Sequence, residues 1–106
     1  MKLIVVQYVT DTGKVPYKDW LSGLKDNMAK IAILRRVNML EEGHFGDCEP
    51  VGDGVSELRL HLGPGYRVYF GIHGKRICLI LDGGTKRTQT RDIARAKQHW
   101  RDYKNR

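Results

Sequence analysis

The fold of this protein is decided by residues 55–81, which read VSELRLHLGPGYRVYFGIHGKRICLIL. Apolar and polar residues alternate from Leu58 to Leu62 and again from Tyr66 to His73. A period of two is typical of strands with one buried face. Two glycine-containing turns, Gly63-Pro64-Gly65 being the first, divide the stretch into an antiparallel meander. The last strand, Arg76 to Leu81, is almost entirely apolar and is expected at the centre of the sheet.

The chain before the meander predicts a strand, two helices and a loop. Residues 3–9 are apolar and β-branched with one exception, which indicates a strand with substantial burial. Pro16 suits the first position of a short helix. A second helix, capped by Asp26 or Asn27, is expected to bury an apolar stripe. The stripe consists of Met28, Ile31, Leu34, Val37 and Leu40. Residues 44–54 predict a loop, with one short strand as an alternative.

The chain after the meander predicts a basic helix. Gly83-Gly84 is expected to end the last strand, and Thr85 or Thr88 can cap the helix. Trp100 and Tyr103 lie on its apolar face and are expected to pack rather than to bind a base. The element order predicts an α+β fold with an N-terminal strand, a helical hairpin, an antiparallel β meander and a C-terminal helix. Helices are expected on one sheet face, with the other partly open, in a single domain spanning residues 1–106.

Charge is unevenly distributed along the chain. Residues 1–53 carry 7 basic and 8 acidic groups, a balance of −1, whereas residues 54–106 carry 12 basic and 4 acidic groups, a balance of +8. A basic half of this kind favours a polyanionic partner such as RNA, although a basic surface without a specific partner is the simpler alternative. No apolar stretch approaches the roughly 20 residues of a membrane helix, so no membrane association and a cytoplasmic location are expected.

The remaining composition indicates no cofactor. Cys48 and Cys78 fit neither a disulfide framework nor a zinc site and are expected to be free thiols, with Cys78 buried. No spacing of His, Cys or Asp suggests a metal. Three scattered histidines are assigned no role: His44, His73 and His99.

A polar patch is predicted on the first hairpin of the meander. If its turn sets a tight register, His61 faces Arg67 and Arg59 faces Tyr69, while Glu57 faces Gly71. Five side chains then share the face opposite the leucines: Glu57, Arg59, His61, Arg67 and Tyr69. RNA cleavage needs a group that takes the proton of the 2′-hydroxyl, a cation on the phosphate and a group that protonates the leaving oxygen. His, Arg and Tyr can fill these roles, and Tyr69 can also stack on an unpaired base.

Each of these residues also has a simpler interpretation. Strand residues that face solvent are normally polar, and Glu57 with Arg59 can form an ordinary ion pair. Arg67 is the strongest candidate because a guanidinium forks onto phosphate oxygens. Since its side chain should point away from the leucines, replacing Arg67 by Ala is expected to leave folding largely intact.

A second basic group follows the last strand. Lys86 and Arg87 lie just before the N-terminus of the final helix, where backbone N–H groups favour anions. Arg91 and Arg95 continue this basic surface and are candidate RNA contacts. These four residues extend the predicted catalytic patch on the hairpin.

The second half of the chain, Val51 to Tyr103, resembles the RelE/ParE toxin superfamily, and specifically the HigB-like addiction-module killer proteins related to phage-derived host-killing proteins. The resemblance lies in four segments. They are Glu57-Leu58-Arg59, the GPGYRVYF segment at 63–70, the LILDGG segment at 79–84, and Lys86 through Tyr103. This combination is fairly specific and covers about half the chain.

The resemblance implies a toxin of a type II toxin–antitoxin system that stops translation by cutting mRNA at the ribosome without a metal. It also implies an antitoxin encoded beside the toxin, of the helix-turn-helix, HigA-like kind. By this resemblance Arg67 matches the arginine that stabilises the phosphate, Arg59 matches a basic residue of the preceding strand, and Lys86 or Arg87 matches a basic residue after the last strand.

One feature of the family is missing from this chain. RelE-like toxins carry a tyrosine early in the final helix, where this chain has Thr90-Arg91-Asp92-Ile93. The general base and acid therefore stay unassigned. Two alternatives stay open: a ParE-like toxin that inhibits DNA gyrase without nuclease activity, and a basic RNA-binding module that is not toxic.

Overall fold

The computed structural model describes residues 2–106 and arranges them as helices on both faces of a sheet. In chain order the elements are β1 (Ile4–Gln7), α1 (Pro16–Gly23), α2 (Asn27–Met39) with a 3₁₀ turn at Leu40–Glu42, β2 (Cys48–Gly52), β3 (Val55–Leu60), β4 (Tyr66–His73), β5 (Ile77–Thr85) with a 3₁₀ turn at Lys86–Thr88, and α3 (Gln89–Lys104). This order confirms the predicted α+β class. β2 is the short strand that the sequence analysis left as an alternative.

The strands form a mixed sheet in the order β1-β5-β4-β3-β2. β1 runs parallel to β5, and the other neighbours are antiparallel. The central position of the sheet, which was predicted for β5, is occupied by β4. β5 is an interior strand between β1 and β4. β1 lies at an edge with Ile4 half exposed, so the prediction that the first strand is substantially buried is wrong. An edge strand has a neighbour on one side only, and an apolar sequence does not reveal this.

Gly83 and Gly84 lie inside β5 rather than ending it. A Cβ on Gly83 would lie 2.1 Å from the ring of Trp20 in α1, and one on Gly84 would lie 1.8 Å from Oδ2 of Asp92 in α3. The glycines therefore allow helices to approach the strand closely from both faces. The sequence suggested a turn because glycine is also a common turn residue.

The register of the β3–β4 hairpin differs from the prediction by two residues. Arg59 faces Arg67 and Glu57 faces Tyr69. β3 ends at Leu60, and His61 belongs to a wider loop closed by a hydrogen bond from the Gly65 N–H to the Leu62 carbonyl (3.0 Å). A shift of two residues exchanges the facing partners but leaves every side chain on its own face.

The helical hairpin of α1 and α2 covers one face of the sheet. α2 buries Ala29, Ile33 and Val37, and the Leu40 that follows it, whereas Met28 of the predicted stripe is 75% exposed. Ile31 and Leu34 of that stripe are also exposed. Residues three apart rotate by about 60° per step around a helix, so five of them cannot share one face. The buried residues are instead spaced four, four and three apart, so their side chains stay within a narrow arc of the helix surface.

α3 packs across the opposite face, which corrects the expectation that this face is open. Trp100 lies over Gly71, where a Cβ would be 2.7 Å from the indole ring. Tyr103 stacks on Trp100 with ring centroids 5.7 Å apart, so the predicted packing role of both aromatic residues is confirmed. The apolar stripe of α3 meets the side of the sheet that carries Leu79 and Leu81. Polar residues of the hairpin consequently lie under or beside this helix.

Both cysteines are free as predicted, and Cys78 is buried. Within residues 2–106, no helix combines the length and apolar character needed to cross a membrane.

Candidate active site

Glu57 is the centre of a charged cluster at the end of the sheet where α3 begins. Its Oε1 lies 3.1 Å from Nε of Arg59 and 3.6 Å from Nε of Arg67, and its Oε2 accepts a hydrogen bond from Nε2 of Gln89 at 2.7 Å. The ion pair with Arg59, expected as the simpler interpretation, is present. Glu57 is fully buried, so its carboxylate orients the arginines and does not face a substrate.

Arg67 lies on the buried side of this cluster. The residue is 6% exposed, which corrects the prediction that its side chain lies open on the surface. Its Nε and Nη1 donate no hydrogen bond to any residue in the described range 2–106. Buried donors of a charged group are rarely left unmet, because the desolvation cost is large. Nε of Arg67 nevertheless lies 3.6 Å from Oε1 of Glu57, so the carboxylate compensates the charge of the guanidinium without accepting a hydrogen bond from it.

Gly65 in the hairpin loop lies close to both Arg67 and Lys86. A Cβ on Gly65 would lie 3.5 Å from Nη1 of Arg67 and 3.3 Å from Cβ of Lys86. The Lys86 N–H donates to the Gly65 carbonyl at 2.8 Å and fixes the turn after β5 to the hairpin loop. The structure thus brings Arg67 and Lys86 close to one glycine.

Tyr69 faces Glu57 across the hairpin and Asp82 across the β4–β5 pair. Its side chain is completely buried, and this burial, followed by the nearby Glu57 carboxylate, raises the pKa of its hydroxyl. A ring without exposed surface cannot stack on a base, so the RNA-binding role predicted for Tyr69 is wrong for this conformation. The alternation placed Tyr69 on the polar face correctly but could not show that α3 covers it.

His61 lies in the loop after β3 and is paired with Asp47, just before β2. His61 Nε2 and Asp47 Oδ2 form a hydrogen bond. That hydrogen bond, and then the nearby Arg59 and Arg36, lower the pKa of Asp47. Asp47 is not predicted as a site residue from the sequence because it lies in the segment predicted as a loop. Its only signal was a carboxylate within a stretch that could form a strand beside β3.

The basic residues after β5 divide into two groups. Arg87 and Arg91 are exposed and line a surface groove together with Thr88 and Thr90. Arg95 instead donates from Nε to Oδ2 of Asp82 at 2.5 Å and from Nη2 to Oδ1 of Asp92 at 2.8 Å. The guanidinium of Arg95 is therefore tied to both α3 and the sheet, while 42% of its side chain is exposed.

Asp82 anchors α3 to β5. Burial alone would raise its pKa, but His99, whose Nε2 lies 3.6 Å from Oδ2, and hydrogen bonds from Arg95 and the Gly83 N–H lower it below the ordinary value. His99 also stacks on Tyr8 with ring centroids 4.7 Å apart. Hence His99, for which the sequence suggested no partner, has a structural one.

Fold and site together define a small α+β protein with a buried arginine–carboxylate cluster beside an exposed basic groove. The chain is 44% identical over 81 residues to a protein of Haemophilus influenzae described as an uncharacterized protein. The aligned segment covers 76% of this chain and 82% of that relative, so this protein belongs to the same family as the H. influenzae protein. No family model matches the chain.

Proposed function

We propose that this protein is the toxin of a type II toxin–antitoxin pair, a HigB-like member of the RelE/ParE superfamily that cuts mRNA on the ribosome in the cytoplasm. The observation that carries the proposal is the buried guanidinium of Arg67, whose Nε and Nη1 lack an acceptor in the described chain. A buried guanidinium with unmet hydrogen-bond donors, beside a glycine and a lysine, suits a phosphate group, since phosphate supplies the missing acceptors.

The surroundings of Arg67 support a phosphate ligand rather than a neutral one. Glu57 holds Arg59 and Arg67 by ion pairs, so the guanidinium groups are oriented before a ligand arrives. Lys86 also lies next to Gly65, and Arg87 and Arg91 line a surface groove. The second half of the chain carries +8, being 12 basic against 4 acidic groups. This field attracts a polyanion and increases the local concentration of RNA.

Four residues of the site are given roles in cleavage by this proposal. His61 takes the proton of the 2′-hydroxyl, whose oxygen attacks the neighbouring phosphorus. Arg67 and Arg59 stabilise the negative charge that grows on the phosphate oxygens. Lys86 donates a proton to the 5′-oxygen as its bond to phosphorus breaks. The products are a 2′,3′-cyclic phosphate and a free 5′-hydroxyl.

The same field makes a covering partner necessary. An exposed basic site would bind RNA without selection, so an antitoxin is proposed to shield it, in the form of a helix-turn-helix protein with acidic residues toward the site. Co-expression with the neighbouring gene product should yield a stable complex without cleavage activity. Recovery of free, active toxin from such cells would argue against this partner.

The decisive experiment compares Arg67→Lys with Arg101→Lys, an exposed α3 substitution outside the site. Arg67→Lys keeps a cation for Glu57 but loses the forked donors, so cleavage of ribosome-bound mRNA should fall by about 10² to 10³. Arg101→Lys should cleave like the parent. Thermal unfolding of both variants verifies that each is folded. A folded Arg67→Lys protein with parental activity would refute the assignment.

A growth experiment separates translation arrest from gyrase inhibition. Induction without an antitoxin should stop amino-acid incorporation first. If nucleotide incorporation into DNA stops while translation continues, the protein acts as a gyrase inhibitor and the proposed nuclease function fails.

A further inference from the structure

Asp47 and His61 form an exposed pair at the open end of β2 and β3. The hydrogen bond joins Oδ2 of Asp47 to Nε2 of His61. A carboxylate can only accept, so the ring proton in this bond resides on Nε2. The neutral imidazole then keeps the lone pair of Nδ1 free. Because the His61 side chain is 68% exposed, this nitrogen is accessible to a ligand.

A rigid frame holds Asp47 at this place. The Arg59 N–H donates to the Asp47 carbonyl at 2.9 Å and extends the β2–β3 pairing by one residue. Arg36 in α2 donates to the carbonyls of Arg59 (2.7 Å), Asp47 (3.2 Å) and Phe45 (3.3 Å). One guanidinium thus clamps the backbone of both strands that carry the pair.

The pair borders the arginine cluster. Asp47 is opposite Arg59 in the sheet, and Arg59 shares the carboxylate of Glu57 with Arg67. The hydrogen bond from His61, and then the charges of Arg59 and Arg36, lower the pKa of Asp47 below its ordinary value of 3.8, so its carboxylate is ionised at neutral pH. An ionised Asp47 is the condition under which it acts only as an acceptor.

We propose that Asp47 is the positioning residue of His61: it holds the imidazole as the Nε2–H tautomer and leaves Nδ1 as the proton acceptor for the 2′-hydroxyl of bound RNA. The inference rests on the proposed nuclease function. Nδ1 takes the hydroxyl proton, the oxygen electron pair forms the bond to phosphorus, and the pair of the broken bond goes to the 5′-oxygen, which is protonated by Lys86. His61 then releases its proton to water, and Lys86 regains one.

The first test reads the tautomer of His61 by nitrogen NMR at a pH where the imidazole is neutral. In the parent, the Nε2–H form should dominate. In Asp47→Asn the amide can either accept from or donate to the ring, so both tautomers should be populated. Asp53→Asn is the matched control, because Asp53 is another exposed carboxylate with a cationic partner, Lys97 at 3.8 Å, at the far end of the β2–β3 hairpin. An unchanged tautomer ratio in Asp47→Asn would overturn the inference.

The second test measures cleavage of ribosome-bound mRNA by the same variants. Asp47→Asn should lower kcat about tenfold with KM unchanged, since misorientation of a proton acceptor affects the chemical step. Asp53→Asn should match the parent. In a His61→Ala background, Asp47→Asn should cause no further loss, because the residue that it orients is gone. Additive losses would show that Asp47 acts by another route and would overturn the inference.

The two readouts separate failure of the inference from failure of the proposed function. If the parent protein does not cleave RNA, the nuclease function fails, while the NMR experiment still decides whether Asp47 fixes the tautomer of His61. If the parent cleaves and Asp47→Asn matches it in both readouts, the nuclease function stands and the role of Asp47 is refuted.

Discussion

On the side of α1 and α2 the sheet buries the larger apolar core, whereas on the side of α3 it buries a smaller apolar cluster together with charged residues. The first core consists of Leu3, Tyr17, Ala29, Ile33, Val37, Leu40, Leu58, Leu60, Tyr66, Val68, Phe70, Cys78 and Ile80. The buried charged residues of the described range 2–106 all lie on the other side. They are Glu57, Arg67, Asp82 and Asp92.

This difference separates stability from chemistry. Apolar burial is the main favourable contribution to folding, so the larger core under α1 and α2 contributes most of the stability. Buried charges contribute little net stability even when paired, because desolvation opposes their attraction. Glu57 and Arg67 are therefore expected to add little net stability as a pair. The α3 side is expected to tolerate fewer changes of side-chain charge. The α1–α2 side is expected to tolerate fewer changes of side-chain volume.

The largest expected effect on stability comes from a substitution in the core under α1 and α2. Leu58 is fully buried in β3, and Leu58→Ala should lower the free energy of unfolding by about 4 kcal/mol, since it leaves a cavity among close-packed neighbours. Urea denaturation measures the change. Leu62→Ala, in the loop and partly exposed, is the control and should cost at most about 1 kcal/mol. Equal losses would contradict the assignment of the core.

A smaller loss is expected from Glu57→Gln on the α3 side. The amide keeps the size of the side chain but removes the charge that neutralises Arg67, so unfolding should become easier by about 3 kcal/mol. Glu49→Gln provides a close control, because Glu49 also pairs with Arg59, at 3.7 Å, but is exposed. It should change stability by less than about 1 kcal/mol. If both variants cost the same, burial of Glu57 does not matter.

The stability contributed by the α3 side should also depend on pH in the acidic range. Since its pKa is lowered in the folded state, ionised Asp82 contributes stability above its ordinary pKa of 3.8, and the contribution is lost as pH falls below that value. Asp82→Asn should consequently be less stable than the parent at pH 7, and the gap should shrink by pH 3. Urea denaturation at both pH values measures this gap. A gap of constant size would show that the charge of Asp82 is irrelevant to stability.

The smallest effect is expected on the outer surface of α2. Met28 is largely exposed, so Met28→Gln should change stability by no more than about 0.5 kcal/mol. Ile33→Val, one methylene removed from the buried stripe, should cost about 1 kcal/mol. Thermal unfolding of both proteins compares them, and the reverse order would restore the stripe predicted from the sequence.

Local patterns were sufficient for the elements and for the faces of the strands. The alternation in β3 and β4 placed Leu58 and Arg67 on opposite faces, and the spacing of Trp100 and Tyr103 indicated their packing. These inferences hold because side-chain direction follows from backbone geometry within a few residues. The same reasoning failed for α2, where two apolar stripes were present and only packing against the sheet selected one.

The sequence by itself determined the α+β class, the order of the elements, the basic second half and the polar residues on one face of the β3–β4 hairpin. Only the tertiary structure decided that α3 covers that face, that Glu57, Arg67 and Tyr69 are buried there, and that Asp47 meets His61. The physical reason is that burial and ion pairing depend on elements distant in the chain. A local period records which side chains share a face, but the covering of that face is a property of the whole packed molecule.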